Sequence, residues 1–347
     1  MSDDARVLER RYELAPQLRV YDAIGQVLAP YLTLTSPPDY RSDVLNTDRH
    51  GFRRSVAAGE VVDTEQPRDR LRYLVLGGSY AFGVGASSDS RTIVSALGEL
   101  TGQGWLNLGV RAGNSTQELI SALPFLLDAD AVVVVSGVND LVVSVQSLGL
   151  NDLYGPLFGE GQFARLGQWP FSVLTALVDD ALSGAPARAL VGELAGRARR
   201  RLPGRYGAGE GRTSSLRRTP AAAAAQALEL QTRNLELLRR SVGPACRVVF
   251  AVQPLLDAAD HQPTPEELEL CSLADALQTA QWHELKGIMN EVLPGLVEGL
   301  RAACARLGVG FVDLNEVAFE GWSFVDRVHA NDAGYAAAAA ALAGVAA

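Results

Sequence analysis

The chain has 347 residues and a mass of 36.9 kDa, with 31 Lys and Arg against 40 Asp and Glu, a formal net charge of −9 and a pI near 5.1. That acidic balance excludes the basic surface of a general nucleic-acid binder. Hydrophobic residues at 48% and charged residues at 20% exclude a disordered chain, and no run reaches the roughly 18 uninterrupted apolar residues of a membrane-spanning helix.

In chain order, residues 1–70 carry few periodic signals and a Ser36-Pro37-Pro38 break. They are expected to wrap the outside of the sheet and to carry no chemistry. The first twenty residues have no apolar run behind their charges, so no signal peptide and a cytoplasmic location are expected. Apolar, β-branched runs closed by turn signals follow at Leu71–Leu76, Trp105–Leu108, Ala131–Val135, Arg247–Val252 and Val309–Val312, and they read as buried parallel strands. Segments of helical length and composition lie among them at Thr92–Leu100, Thr116–Leu127, Ala221–Arg240, His283–Leu307 and Asn331–Ala346. The alternation predicts a doubly wound, three-layer α/β/α domain over 71–347 with a five-stranded parallel sheet.

The third and fourth strands stand much further apart than a crossover needs, so 141–219 is expected to be a large, partly helical insertion, a lid or subdomain. Its arginines, from Arg197 to Arg218, are opposed only by Glu210. They make either a solvated helix end and loop or an anion-docking surface. Cys246, Cys271 and Cys304 are odd in number and far apart, which argues against a disulfide framework and against a zinc knuckle.

In open α/β sheets, ligands bind beyond the carboxyl ends of the strands, where loops converge and helix N-termini aim free NH groups inward. Three exit loops carry small residues and one polar group each: Gly77 to Gly85, Asn107 to Asn114, and Ser136 to Asp140. The first has phosphate-loop spacing from Gly78 to Gly83, but Val84 stands where lysine is needed. Gly83 and Gly85 are followed by Ser88 instead of the third glycine of a dinucleotide fingerprint, and Gly77-Gly78-Ser79-Tyr80-Ala81 misses G-x-S-x-G at its last position. What survives is a serine on a tight glycine turn at a strand end.

A serine nucleophile needs a base, and the chain has four histidines. His50 lies in the N-terminal wrap and His261 in a proline-bounded loop. His283 opens a long helix, with Gly287 where the second histidine of H-E-x-x-H would stand. His329 sits in Asp326-Arg327-Val328-His329, just before a helix capped at Asn331 or Asp332. Spacing of three brings carboxylate and imidazole to one side, where the carboxylate fixes the tautomer and stabilises the imidazolium.

Together these blocks resemble the SGNH (GDSL-like) hydrolase superfamily, in its order and on the expected strand exits, over residues 71–346 apart from the insertion. The resemblance implies a flavodoxin-like fold and a serine esterase or acyl hydrolase that uses no metal or organic cofactor. It implies Ser79 as nucleophile, His329 as general base and Asp326 as its orienting partner. The oxyanion donors implied are the Ser79 and Gly113 amides and the Asn139 side chain. Two departures stand out. Gly78 occupies a place commonly held by aspartate, so bracing of the nucleophile turn must come from elsewhere. The stretch from Asn107 to Gly113 is one residue longer than the commonest pattern, which leaves Ala112 or Gly109 as alternative amide donors. An acyltransferase of the same fold and a non-catalytic binding protein are the other readings. The expected partner is a small-molecule, sugar or lipid ester or an acyl donor, without nucleic acid or a membrane span. A carrier-linked acyl group becomes attractive if Arg197 to Arg218 line the mouth.

Overall fold

The computed structural model describes residues 3–29, 31–146, 151–152, 155–156, 219–277 and 280–346. The five apolar runs form strands β1 (Tyr73–Gly77), β2 (Trp105–Gly109), β3 (Ala131–Ser136), β4 (Arg247–Val252) and β5 (Gly310–Asp313). All pair in parallel, in the order β5-β4-β3-β1-β2. Side chains alternate across a strand, so Leu74, Leu76, Val132, Val134 and Phe250 enter one apolar layer. Val75, Val133, Val135, Val249 and Ala251 enter the other.

The helices are α1 (Asp3–Leu14), α2 (Leu18–Ala23), α3 (Ser79–Phe82), α4 (Ile93–Thr101), α5 (Ser115–Ala122), α6 (Asn139–Gln146), α7 (Pro220–Ser241), α8 (Pro265–Ala276), α9 (Ala280–Leu307) and α10 (Asp332–Ala346). Helices α7 and α9 bury Leu235, Leu238, Leu293, Leu296 and Leu300 in the first layer. Helices α4 and α10 bury Ile93, Leu97, Tyr335 and Leu342 in the second. This is the three-layer, doubly wound architecture expected. The chain order reverses between β1 and β3, and the loops leaving them diverge to open a crevice at the carboxyl edge.

Two helix boundaries differ from expectation. The helix expected over Thr116–Leu127 stops at Ala122, and a separate 3₁₀ turn spans Leu126–Asp128. Pro124 is the cause: it brings no NH to continue the ladder, and its ring crowds the carbonyl four residues back. Helix α9 instead runs through Pro294 and begins at Ala280, ahead of His283. Leu293, Leu296, Val297 and Leu300 are buried around that proline, and their packing outweighs an interior proline cost of about 3 kcal/mol.

The chain divides into two units, Met1–Gln146 with Pro220–Ala347, and Ser147–Thr219. Of the expected insertion, Leu141 to Gln146 continue α6, and Asn151–Asp152 pairs antiparallel with Gly155–Pro156. The arginines from Arg197 to Arg218 lie outside the described residues. In the N-terminal segment, Leu18, Tyr21, Ile24 and Leu45 pack with Phe82 of α3, Leu270 of α8 and Val325. Among the described residues no helix is long and apolar enough to cross a membrane.

Candidate active site

Strand β1 ends at Gly77, whose φ of +151° favours glycine and where an added Cβ would lie 2.2 Å from the Val135 carbonyl oxygen. After a single intervening residue, Gly78, the chain enters α3 at Ser79. The exit is therefore abrupt, and the single turn holds the Ser79 side chain and NH at the crevice. Gly109 lets β2 lie against this turn, since a Cβ there would stand 2.4 Å from the Phe82 nitrogen.

Ser79 Oγ is 2.8 Å from His329 Nε2, and His329 Nδ1 is 2.8 Å from Asp326 Oδ2. The other carboxylate oxygen of Asp326 accepts from the Val328 and His329 backbone NH groups, each at 2.8 Å. Burial acts to raise the Asp326 pKa, but the charge and hydrogen bond of His329, the Val328 NH and the charge of Arg11 outweigh it, so the carboxyl lies below its ordinary value. An ionised Asp326 selects the tautomer with the proton on Nδ1, leaving Nε2 free to accept from the serine. Burial pushes the thiol of Cys246 up to about 11 and those of Cys271 and Cys304 up to about 12, so these cysteines stay protonated and unreactive.

Asn139 opens α6 at the end of β3, and its Nδ2 donates to the Gly113 carbonyl oxygen at 2.6 Å. Its second amide hydrogen is not used in that bond. An added Cβ at Gly78 would lie 2.3 Å from Asn139 Nδ2. A side chain at 78 and this asparagine placement are mutually exclusive, which gives a steric reason for glycine at this position.

The turn from Val110 to Gly113 has Ala112 at a left-handed φ of +59°. The Gly113 NH, expected as an oxyanion donor, donates to the Val110 carbonyl oxygen at 2.8 Å. The Gly109 NH donates to Asn107 Oδ1 at 2.9 Å. Among the described residues the Ala112 NH has no such partner. Asn114 and Gln117 form a capping box on α5, which fixes the turn to the helix that follows.

Asp140 was part of the third block but carried no assigned role. Its two oxygens accept from the Ser115 NH and Ser115 Oγ, each at 2.9 Å, so it ties the start of α5 to the start of α6 and sets the Gly113 turn against Asn139. Burial pushes the Asp140 carboxyl up to about 6, against the bonds from Ser115. Glu118, next to it and bonded by Ser136 Oγ at 2.6 Å, is raised well above its ordinary value by burial and by the charge of Asp140. A polar residue adjoining Asn139 was the only signal in the sequence.

The remaining histidines are elsewhere. His50 meets Thr64 Oγ1 at 2.7 Å on the surface. His261 is buried between the Phe319 carbonyl oxygen at 2.9 Å and Glu267 Oε2 at 2.7 Å. His283 falls in the first turn of α9, and its side chain lies outside the described residues.

No protein-family model matches the chain, and no curated protein matches it. Solved structures do. An extracellular lipase from Streptomyces rimosus is 16% identical, with a TM-score of 0.44 over 79% of this chain and 99% of that one. A carbohydrate acetylesterase from Sinorhizobium meliloti is 13% identical, with a TM-score of 0.39 over 78% and 96%. An inhibitor-bound aryl esterase of M. smegmatis is 16% identical, with a TM-score of 0.38 over 79% and 97%. At such identities and scores, the chemistry of the site has to be read from this chain's own residues.

Proposed function

We propose that the chain is a serine-dependent carboxylic ester hydrolase. One observation carries this reading: Ser79, His329 and Asp326 form a continuous chain of hydrogen bonds at the crevice between β1 and β3, with 2.8 Å at both links. His329 Nε2 takes the Ser79 proton as Oγ attacks the ester carbonyl carbon, and the carbonyl electron pair moves onto oxygen. The Ser79 NH and the second hydrogen of the Asn139 amide donate to that oxyanion. The third donor comes from the 110–113 turn, either the Ala112 NH or the Gly113 NH once it leaves Val110. Collapse of the intermediate expels the alkoxide, which takes the proton from His329. Water, deprotonated by the same imidazole, then attacks the acyl-enzyme and releases the acid, and Ser79 recovers its proton. Asp326 stays ionised throughout and stabilises the imidazolium.

All charge and proton steps are met by these groups. An alcohol or amine acceptor in place of water would make the same site a transferase, and product analysis tells the two apart. Three free, buried thiols fit the reducing cytoplasm. The test is hydrolysis of short p-nitrophenyl esters by wild type, Ser79→Ala, His329→Ala and the double variant. Each single change is expected to remove nearly all turnover, with little further loss on combination, because the pair acts as a unit. Full activity in Ser79→Ala would overturn the reading.

A further inference from the structure

Helix α3 is one turn long, Ser79–Phe82, too short to hold itself in water, because a first helical turn fixes several residues for a single hydrogen bond. Its last carbonyls must find partners outside the helix. The Ser79 carbonyl oxygen accepts from the Gly83 and Val84 NH groups, both at 3.1 Å, and the Ala81 oxygen accepts from Asn107 Nδ2 at 3.2 Å. The two carbonyls that follow are reached from the N-terminal segment, the Gly83 oxygen also accepting from the Ala86 NH at 3.2 Å. The Arg53 guanidinium donates to the Gly83 oxygen at 2.7 Å and to the Phe82 oxygen at 3.4 Å. It also lies 5.8 Å from the centre of the Phe82 ring.

Arg53 is 0% exposed, and all three of its guanidinium nitrogens are hydrogen-bonded. Asp89 accepts from its Nε at 2.8 Å, the Val44 oxygen accepts from one terminal nitrogen at 2.8 Å, and the Tyr21 hydroxyl accepts from the other at 2.7 Å. That hydroxyl is in turn 2.9 Å from the Gly83 oxygen and 2.7 Å from the Ala86 oxygen. The Tyr21 backbone carbonyl receives the Arg111 guanidinium at 3.3 Å, and Arg111 belongs to the 110–113 turn. Tyr21 thus bridges the nucleophile helix and the oxyanion turn.

We propose that Arg53 and Tyr21 are positioning residues of the active site, a buried clamp from the N-terminal segment that holds α3 and so aims Ser79. Neither residue touches the reacting atoms. Both act by fixing α3, so their removal should lower the rate of the chemical step and leave ester binding alone. Lysine at 53 keeps the charge but cannot span Asp89, Val44, Tyr21 and Gly83 together, and phenylalanine at 21 removes only the hydroxyl.

This inference rests on the ester-hydrolase reading, and the experiment separates the two. Wild type, Tyr21→Phe and Arg53→Lys are compared, each at a temperature well below its own unfolding midpoint, by steady-state ester hydrolysis and by the rate of fluorophosphonate labelling at Ser79. Tyr21→Phe is expected to lower kcat and the labelling rate by about tenfold or more, since small misplacements of a reacting group are costly, with KM within about twofold of wild type. Arg53→Lys should do the same to a greater extent, and the double variant should lose less than the product of the two. Labelling of wild type with unchanged kcat and labelling rate in Tyr21→Phe, and only a lowered midpoint, would overturn the clamp and leave the hydrolase reading standing. If Arg53→Lys fails to fold, Tyr21→Phe decides alone. Absence of labelling in wild type would remove the hydrolase reading itself.

Discussion

Gly78 separates this site from a generic serine turn. Its φ of −84° is negative, and the nearest obstacle to a side chain there is the Asn139 amide nitrogen, 2.3 Å from an added Cβ. Gly78→Ala should therefore fold, push the flexible end of Asn139 aside and lower kcat about a hundredfold, the usual cost of one oxyanion donor. Steady-state kinetics beside a melting curve check this; unchanged kcat would mean that Asn139 is not a donor. Asp140 offers a second test. Its carboxyl moves from 3.8 to about 6 in the folded chain, so over that window the folded protein holds a proton that the unfolded chain has released. Stability from this group is present at low pH and falls as pH rises through the window. Asp140→Asn cannot ionise, and any stability advantage of wild type over it should shrink between about pH 4 and pH 6 in melts at stepped pH. A gap that widens would contradict the burial of an ionising Asp140.

Helix α5 carries the 110–113 turn, the proposed source of an oxyanion donor, on its N-terminus, and the Asn114–Gln117 box is what fixes that end. Asn114→Ala should cost about 1 kcal/mol, a fall of about 2 °C in the midpoint for a chain of this length, together with a drop in kcat. A drop in kcat without any change in midpoint would place Asn114 in the chemistry instead. Such helix ends were legible only in part. The strand runs were found within a few residues, because buried β-branched letters leave little ambiguity. Thr116–Leu127 was misjudged where Pro124 cut it, whereas Pro294 did not cut α9. The difference is tertiary packing, which no local pattern encodes. The site shows the same division. Ser79 and the Asp326-x-x-His329 pair were marked by type and spacing, and Asn139 by the resemblance. Arg53 and Tyr21 were not, since their role depends on partners some thirty or more residues away in sequence. The bond from the Gly113 NH to Val110 was not legible, because the turn that makes it rests on a left-handed Ala112 that no letter announces.

The doubly wound order places the ends of β1 and β3 side by side and brings a histidine 250 residues further along onto the serine. Chain topology, more than any local motif, makes the proposed relay. Because that relay supplies every proton and charge step, activity should be unchanged after exhaustive dialysis against EDTA, and a loss restored by a divalent ion would require a different mechanism. The most direct test of the whole account is covalent. A fluorophosphonate incubated with the intact protein should label one peptide, and mass analysis should place the adduct on Ser79, with labelling abolished in His329→Ala. An adduct on another residue, or none on a folded wild type, would contradict it.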